Sequence, residues 1–208
     1  WIAVNTIDQN AGSGFDTAVL LSLPLFTDPA PHPRTPPDVP GYAYDAAQTR
    51  LNLANALQAE GQLDEACRIM AEVVETGETL VLGAPDDMKF AMLLVTAHFN
   101  LGSIHARAER LDLAEEHFAL AGDAGTRAVA RNAAAVGVAL RAAEALVQAG
   151  DYASYREDPA AAAPFFERAV SVLDACGPAA LEQPPVKARR EEARDRLAKL
   201  RKDEEERR

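Results

Sequence analysis

Residues 50–75 read RLNLANALQAEGQLDEACRIMAEVVE. Apolar residues recur at three- and four-residue spacing on both sides of one glycine, Gly61: Leu53, Ala54 and Leu57 before it, and Leu63, Ala66, Met70 and Val73 after it. Gly61 ends the first run as a left-handed C-terminal cap would. Asp64 and Glu65 suit the positive end of a second helix. The stretch therefore predicts two amphipathic helices joined by a tight turn.

Two later stretches repeat this arrangement. Residues 97–121 read AHFNLGSIHARAERLDLAEEHFALA, and residues 140–150 and 160–170 read LRAAEALVQAG and AAAAPFFERAV. The matching places are Leu101, Gly102, His105, Ala114, Phe118 and Ala121 in the second copy, and Ala142, Ala143, Leu146, Gly150, Ala162, Phe166 and Ala169 in the third. Glu109 stands at the turn of the second copy, and Asp151 to Pro159 form an insertion at the turn of the third. Ala66, Ala114 and Ala162 are 48 residues apart.

This pattern resembles the tetratricopeptide (TPR) repeat, over roughly Gly41 to Cys176. The resemblance implies an all-α fold, an α-solenoid of about three TPR-like helical hairpins with a C-terminal capping helix. The spacing exceeds the roughly 34 residues of an ordinary TPR, and it is similar to the longer repeats of kinesin light chains. Residues Thr76–Asp87 resemble the loop of that variant.

The predicted helices run from Tyr42 to Ala59, Leu63 to about Leu80, Asp86 or Asp87 to about Ala108, Leu111 to about Ala121, Thr126 to Ala149, and Pro159 to about Gly177. Because the helix-to-helix connections are short, we expect successive helices to be antiparallel neighbours.

The two ends differ from the repeats. Residues 1–41 combine an apolar segment, Phe15 to Phe26, with a proline-rich stretch that predicts an extended strap or a disordered linker. The apolar segment could pack over the first hairpin, lie in the protein's own groove, or dock on a partner. Residues 42–178 would form the repeats. Residues 179–208 include a charged helix, which we interpret as a solvating cap, with a short coiled coil or partner-binding arm as the alternative.

The composition excludes some classes of partner. The net charge of −11 argues against nucleic acid or an anionic membrane as the main partner, because both require clustered Lys and Arg. Cys67 and Cys176 are expected to be free cysteines of the core. We expect a cytoplasmic protein. A sequence without an initiator Met indicates a trimmed or processed piece, from which a leader could have been removed.

We find no catalytic or phosphate-binding motif, so we expect no enzyme activity, no cofactor and no metal site. His98 and His105 lie seven residues apart, about 10 Å along a helix axis, which is too far for one metal ion. Both occupy places where TPRs carry packing aromatic residues, so we interpret them as core or partly buried histidines. His117 is predicted to face the other helix of its hairpin.

The resemblance to TPRs implies a concave groove lined by the first helix of each hairpin. The residues that flank the Leu/small pair would point into it: Asn52, Asn55, Asn100, Ser103, Arg141 and Glu144. A carboxamide donates and accepts at once, which suits a peptide backbone. Arg141 could hold a carboxylate. Phe99, Leu51 and Leu140 would give an apolar floor.

Part of this set resembles the carboxylate clamp of chaperone-binding TPRs. Asn55, Asn100 and Arg141 match the asparagines and the arginine of that clamp, whereas Leu51 and Gly137 stand where it has lysines. We therefore predict a non-catalytic adaptor that binds an extended or helical peptide. Two alternatives stay open: a structural subunit held in a larger assembly by its N-terminal strap, and the ligand-sensing domain of a regulator.

Overall fold

The computed structural model describes residues 40–156 and 158–206, which lie in one compact unit, Pro36–Arg208. The predicted strap and its apolar segment, Phe15 to Phe26, lie outside the described residues. Within the described part, the secondary structure consists of eight α-helices and no strand. In chain order they are α1 (Pro40–Ala59), α2 (Leu63–Gly83), α3 (Met88–Arg107), α4 (Leu111–Arg131), α5 (Val136–Tyr155), α6 (Pro159–Asp174), α7 (Pro178–Leu181) and α8 (Pro184–Glu206).

The helices form a repeating array with a period of 48 residues. The helices α1, α3, α5 and α8 begin at residues 40, 88, 136 and 184, and α2, α4 and α6 begin at residues 63, 111 and 159. Helices that follow one another from α1 to α6 pack side by side, and α8 packs on α6 and α5. The predicted all-α class and its arrangement as a helical array are therefore confirmed. By position, α8 is the first helix of a fourth repeat.

Two predicted boundaries are wrong. The helix predicted from Thr126 to Ala149 is split, because α4 continues to Arg131 and α5 begins only at Val136. Asn132 stops α4: its backbone is extended, and its side chain accepts a hydrogen bond from the N–H of Ala134 at 3.0 Å. The stretch Thr76–Asp87, which resembles a loop in sequence, is helical up to Gly83.

The predicted turn of the third copy is also wrong. Gly150 lies inside α5, which continues to Tyr155, so most of the supposed insertion is helix. Gly150 is 48 residues after Gly102, and each glycine lies against an aromatic ring of the following helix. A β-carbon on Gly102 would lie 3.0 Å from Phe118, and one on Gly150 would lie 2.6 Å from Phe166. Gly150 is therefore a packing residue of the repeat and not a cap.

The turns of the first two hairpins each use a left-handed residue. Gly61 has φ of +82°, as predicted for a C-terminal cap. Glu109, at the same place 48 residues later, has φ of +59° although it carries a β-carbon. The first two repeats therefore share a left-handed backbone conformation at this position, with glycine in one and glutamate in the other.

The core is built mainly of alanine, valine and leucine side chains, with a few aromatic rings, between the two layers of helices. Leu53 is 49% exposed, although Leu101, its equivalent in the second repeat, is 4% exposed. No described helix precedes α1, so nothing in the described part covers this side of the first repeat. Cys67 and Cys176 are free and only half-buried, and Cys176 lies just beyond the end of α6.

The last helix, α8, begins at the two prolines Pro184 and Pro185, which the sequence suggests only as an interruption of the chain. Val186 and Ala193 are buried, and Leu197 and Leu200 are partly buried against the same core. The apolar stripe of this charged helix is thus the face that α8 packs on α6 and α5.

Candidate functional site

The first helix of each repeat lies in one layer of the array, which therefore consists of α1, α3, α5 and α8. Contacts link α1 to α3, α3 to α5 and α5 to α8, so this layer is continuous along the array. In the second layer, α4 contacts α6. The sequence-predicted site residues lie on α1, α3 and α5, and we call the side of the first layer that carries them the inner face.

Polar contacts recur between neighbouring first helices on the inner face. The side-chain amide of Asn100 donates a hydrogen bond to Oδ1 of Asn55 at 3.1 Å. Two repeats later, at the same two places, the guanidinium of Arg196 lies 3.3 Å from a carboxylate oxygen of Asp151. Each contact joins a residue of one repeat to a residue of the repeat before it. The sequence predicts the residues Asn55 and Asn100 but not their contact.

The sequence prediction misses the equivalent residues of the third repeat. If Gly150 is aligned with the turn glycine, the residues selected in the third repeat are Arg141 and Glu144. The period of 48 residues instead makes Gln148 and Asp151 the equivalents of Asn100 and Ser103. Both side chains are half-buried. The equal spacing of the three anchoring alanines is the signal that could have identified them. Positions 52, 100 and 148 carry Asn, Asn and Gln, so three successive repeats present a carboxamide at one place.

Arg141 and Glu144 also lie together, about two turns nearer the start of α5 than Gln148 and Asp151. The guanidinium of Arg141 lies over the ring of Phe99 at 4.7 Å and donates a hydrogen bond to Glu144 at 3.1 Å. Glu144 also pairs with Arg189 of α8 at 3.7 Å. A ligand carboxylate would therefore have to compete with Glu144 for Arg141, which the sequence does not reveal.

The remaining predicted residues divide between the surface and the core. Asn52 is exposed, and Ser103 is half-buried, with its hydroxyl donating to the carbonyl of Phe99 at 3.0 Å. Leu51 is expected in the apolar floor, but it is 7% exposed and belongs to the core. Phe99 and Leu140 are half-buried, so they alone of that predicted floor remain accessible.

The burial of Asp151 affects its ionisation. Burial raises the pKa of the Asp151 carboxyl above its ordinary value, and the nearby Arg196 opposes this shift. The pair therefore places a partly desolvated carboxylate at the α5–α8 end of the inner face, while the α1–α3 end is neutral and rich in amides.

Three histidines form a row between α3 and α4. Nδ1 of His98 lies 3.2 Å from Nδ1 of His117, and the ring of His117 is nearly parallel to that of His105 at 5.3 Å. His98 and His105 are 5% and 8% exposed, so the prediction that they are core residues is confirmed. His117 faces α3, as predicted. Beyond His105, Sγ of Cys67 in α2 lies 3.9 Å from Nδ1 of His105.

Burial determines the ionisation of this row. It lowers the pKa of His98 to about 4, helped by His117 and Arg127. It also lowers the pKa of His105 and of His117. Burial raises the pKa of the Cys67 thiol. In the described part of the chain, no group of three or more His, Cys, Asp or Glu side chains is arranged to hold a metal ion.

No protein-family model matches the chain, and no curated protein matches its sequence. Among solved structures, the chain is similar to a crystal structure of a de novo designed helical repeat protein, with 17% sequence identity and a TM-score of 0.33. That match covers 80% of this chain and all of the designed one. Among the described helices, none is long and apolar enough to cross a membrane.

Proposed function

We propose that the protein is a non-catalytic interaction module of the TPR type, which binds an extended or helical peptide segment on its inner face. The observation that carries this proposal is the carboxamide at one place in three successive repeats: Asn52, Asn100 and Gln148. Asparagine is unfavourable inside a helix because its side chain competes with the backbone for hydrogen bonds. Asn52 and Asn100 occupy exposed or half-buried helix positions despite this cost, and we infer that binding is the reason that a carboxamide recurs there.

The contact between Asn100 and Asn55 supports this function. Asn100 uses one N–H of its amide to reach Asn55, so its Oδ1 and the amide N–H groups of Asn55 remain for other partners. A peptide backbone offers the complementary N–H and C=O groups. Phe99 and Leu140 add an apolar surface beside these amides, so the peptide that fits best carries apolar side chains next to its hydrogen-bonded backbone.

The experiment is selection of peptides from a random library displayed on phage, with the full chain as bait. We expect the selected peptides to bind the unmodified chain with micromolar affinity, because ordering a flexible peptide offsets much of the contact energy. Asn100→Ala combined with Gln148→Ala should weaken binding at least about tenfold, which is the loss expected for two hydrogen bonds.

The matched control is Gln62→Ala. Gln62 is an exposed carboxamide in the α1–α2 turn, away from the inner face, and its side chain donates a hydrogen bond to Glu60. Its removal should leave peptide binding unchanged. If the Asn100/Gln148 variant keeps its helical content and binds the peptides as tightly as the control, the inner face is not the binding surface.

A further inference from the structure

The row of histidines is peculiar to the second repeat. His117 is replaced by Ile69 in the first repeat and by Phe165 in the third, and His98 is replaced by Leu146 in the third. Ile69 is 6% exposed and Leu146 is fully buried, so at each place one neighbouring hairpin has a buried apolar side chain. The first repeat instead has Arg50 at the place of His98, exposed and paired with Glu72 at 3.4 Å. Packing alone therefore does not require imidazole at either position.

The contact between the two histidines depends on their protonation. A neutral imidazole has one donor and one acceptor nitrogen, so at 3.2 Å one Nδ1 must carry a proton and the other must not. Protonation of both rings would place an N–H on each side of this contact and two positive charges in a buried interface. The same geometry that joins α3 to α4 at neutral pH would then oppose their packing.

We propose that the His98–His117 pair is an acid-sensitive latch, which holds α3 against α4 while the imidazoles are neutral and releases the two helices when both are protonated. The pair fits a shared proton better than a metal ion, because no third ligand among the described residues joins it and Arg127 lies near His98.

The charged groups around the pair favour this behaviour. Arg127 on α4 acts against protonation of His98, and Glu116 on α4 favours protonation of His117. From the side of α2, Cys67 contacts His105, and Arg110 in the α3–α4 turn pairs with Asp64 at 2.5 Å. His105 itself adds a third titratable ring beside His117. His117 is therefore expected to bind the first proton, and binding of the second proton to His98 is less favourable.

The latch lies directly behind the inner face. Phe99 follows His98, Phe118 follows His117, and the two phenyl rings contact each other at 5.3 Å. Separation of α3 from α4 would therefore displace Phe99 and Asn100. This consequence for peptide binding rests on the proposed function, whereas the latch itself does not.

The test compares the full chain with a variant that carries His98→Leu and His117→Ile, the residues that neighbouring repeats use at these places. The free energy of unfolding would be measured in urea at about pH 7.5 and about pH 5.5. With a pKa of about 4 in the folded state against 6.5 in the unfolded chain, His98 alone should raise the unfolding equilibrium constant about tenfold at the lower pH. This part of the response should vanish in the variant.

The control is His105→Leu, which introduces the residue that the first repeat has at the same place, Leu57. This substitution removes a buried histidine that takes no part in the Nδ1 contact. The variant should therefore keep the part of the acid response of unfolding that comes from His98. All three chains carry the same carboxylates, so differences between their acid responses report the replaced imidazoles. An equal acid response in the unmodified chain and the double variant would overturn the proposal.

Two readouts on the unmodified chain do not depend on the variants. Hydrogen exchange, corrected for intrinsic rates, should show α3 and α4 losing protection at about pH 5.5 before α5 and α6. Side-chain nitrogen NMR should show that His98 and His117 titrate as a coupled pair. Uniform loss of protection, or independent titration of the two rings, would contradict the latch. Neither readout involves a peptide, so failure of the latch and failure of the binding function can be told apart.

Discussion

Gly150 of α5 lies so close to Phe166 of α6 that a β-carbon on the glycine would stand 2.6 Å from the ring. We therefore expect Gly150→Ala to destabilise the protein by about 1–3 kcal/mol, the usual cost of overpacking, even though alanine is the better helix former. Urea unfolding followed by circular dichroism would measure this change.

Gly83 is the matched control for that substitution. It ends α2, and a β-carbon there would have no neighbour within 4 Å. Gly83→Ala should be neutral or should stabilise the protein by up to about 1 kcal/mol. If Gly150→Ala also stabilised the protein, α5 and α6 would have to be farther apart in solution than the contact between Gly150 and Phe166 implies.

The left-handed turn residue of the second repeat gives a second prediction. Glu109 has φ of +59°, where a residue with a β-carbon is strained and glycine is not. Glu109→Gly should stabilise the protein by about 0.5–1 kcal/mol, although glycine also gains entropy in the unfolded chain. Thermal and urea unfolding would measure the gain.

The equivalent turn of the first repeat allows the opposite substitution, from glycine to a residue with a β-carbon. Gly61 has φ of +82° with nothing near its missing β-carbon, so Gly61→Ala should cost about 1 kcal/mol through backbone strain alone. If both substitutions change stability in the same direction, the turn conformation is not what the two repeats share.

The stack of Arg141 on Phe99 gives a third prediction, which concerns the inner face. At 4.7 Å from the ring centre, the guanidinium of Arg141 should couple to Phe99 by about 0.5–1 kcal/mol. A double-mutant cycle with Phe99→Leu and Arg141→Met would measure that coupling from unfolding free energies.

Glu144→Gln serves as the control for this cycle. It weakens the ion pair of Arg141 but leaves the ring in place, so the coupling between Phe99 and Arg141 should persist. Additive effects of Phe99→Leu and Arg141→Met would show that the contact contributes nothing to stability in solution.

Much of the fold follows from local patterns. Apolar spacing locates the helices, and the starts of α2, α4 and α6 agree with the sequence prediction because proline, acidic residues and periodicity all mark the beginning of a helix. The predicted end of α4 near Ala121 is wrong, because α4 runs on through Gly122 and Gly125, which lie against Leu146 and Ala142 of α5, and ends only at Arg131. A single asparagine side chain, bonded to the N–H of Ala134, decides that boundary.

The candidate site is only half predictable. The sequence identifies Asn52, Asn55, Asn100 and Ser103 through the first two repeats, which align correctly. In the third repeat it favours Arg141 and Glu144 over Gln148 and Asp151, because a glycine at a turn and a glycine in a helix contact look the same in sequence. Only the ring of Phe166 against Gly150 shows which role that glycine has.

Local sequence is sufficient for the all-α class, the hairpin unit and the 48-residue period, because each depends on residues a few positions apart or on regular spacing. Tertiary packing alone determines which side chains meet: Asn100 with Asn55, Arg141 with Phe99, and His98 with His117. These contacts join different helices, and their partners are 19 to 45 residues apart in the chain. Neither helical periodicity nor composition specifies how far one helix slides and rotates against the next, since close packing of small residues such as Gly102 and Gly150 sets that geometry.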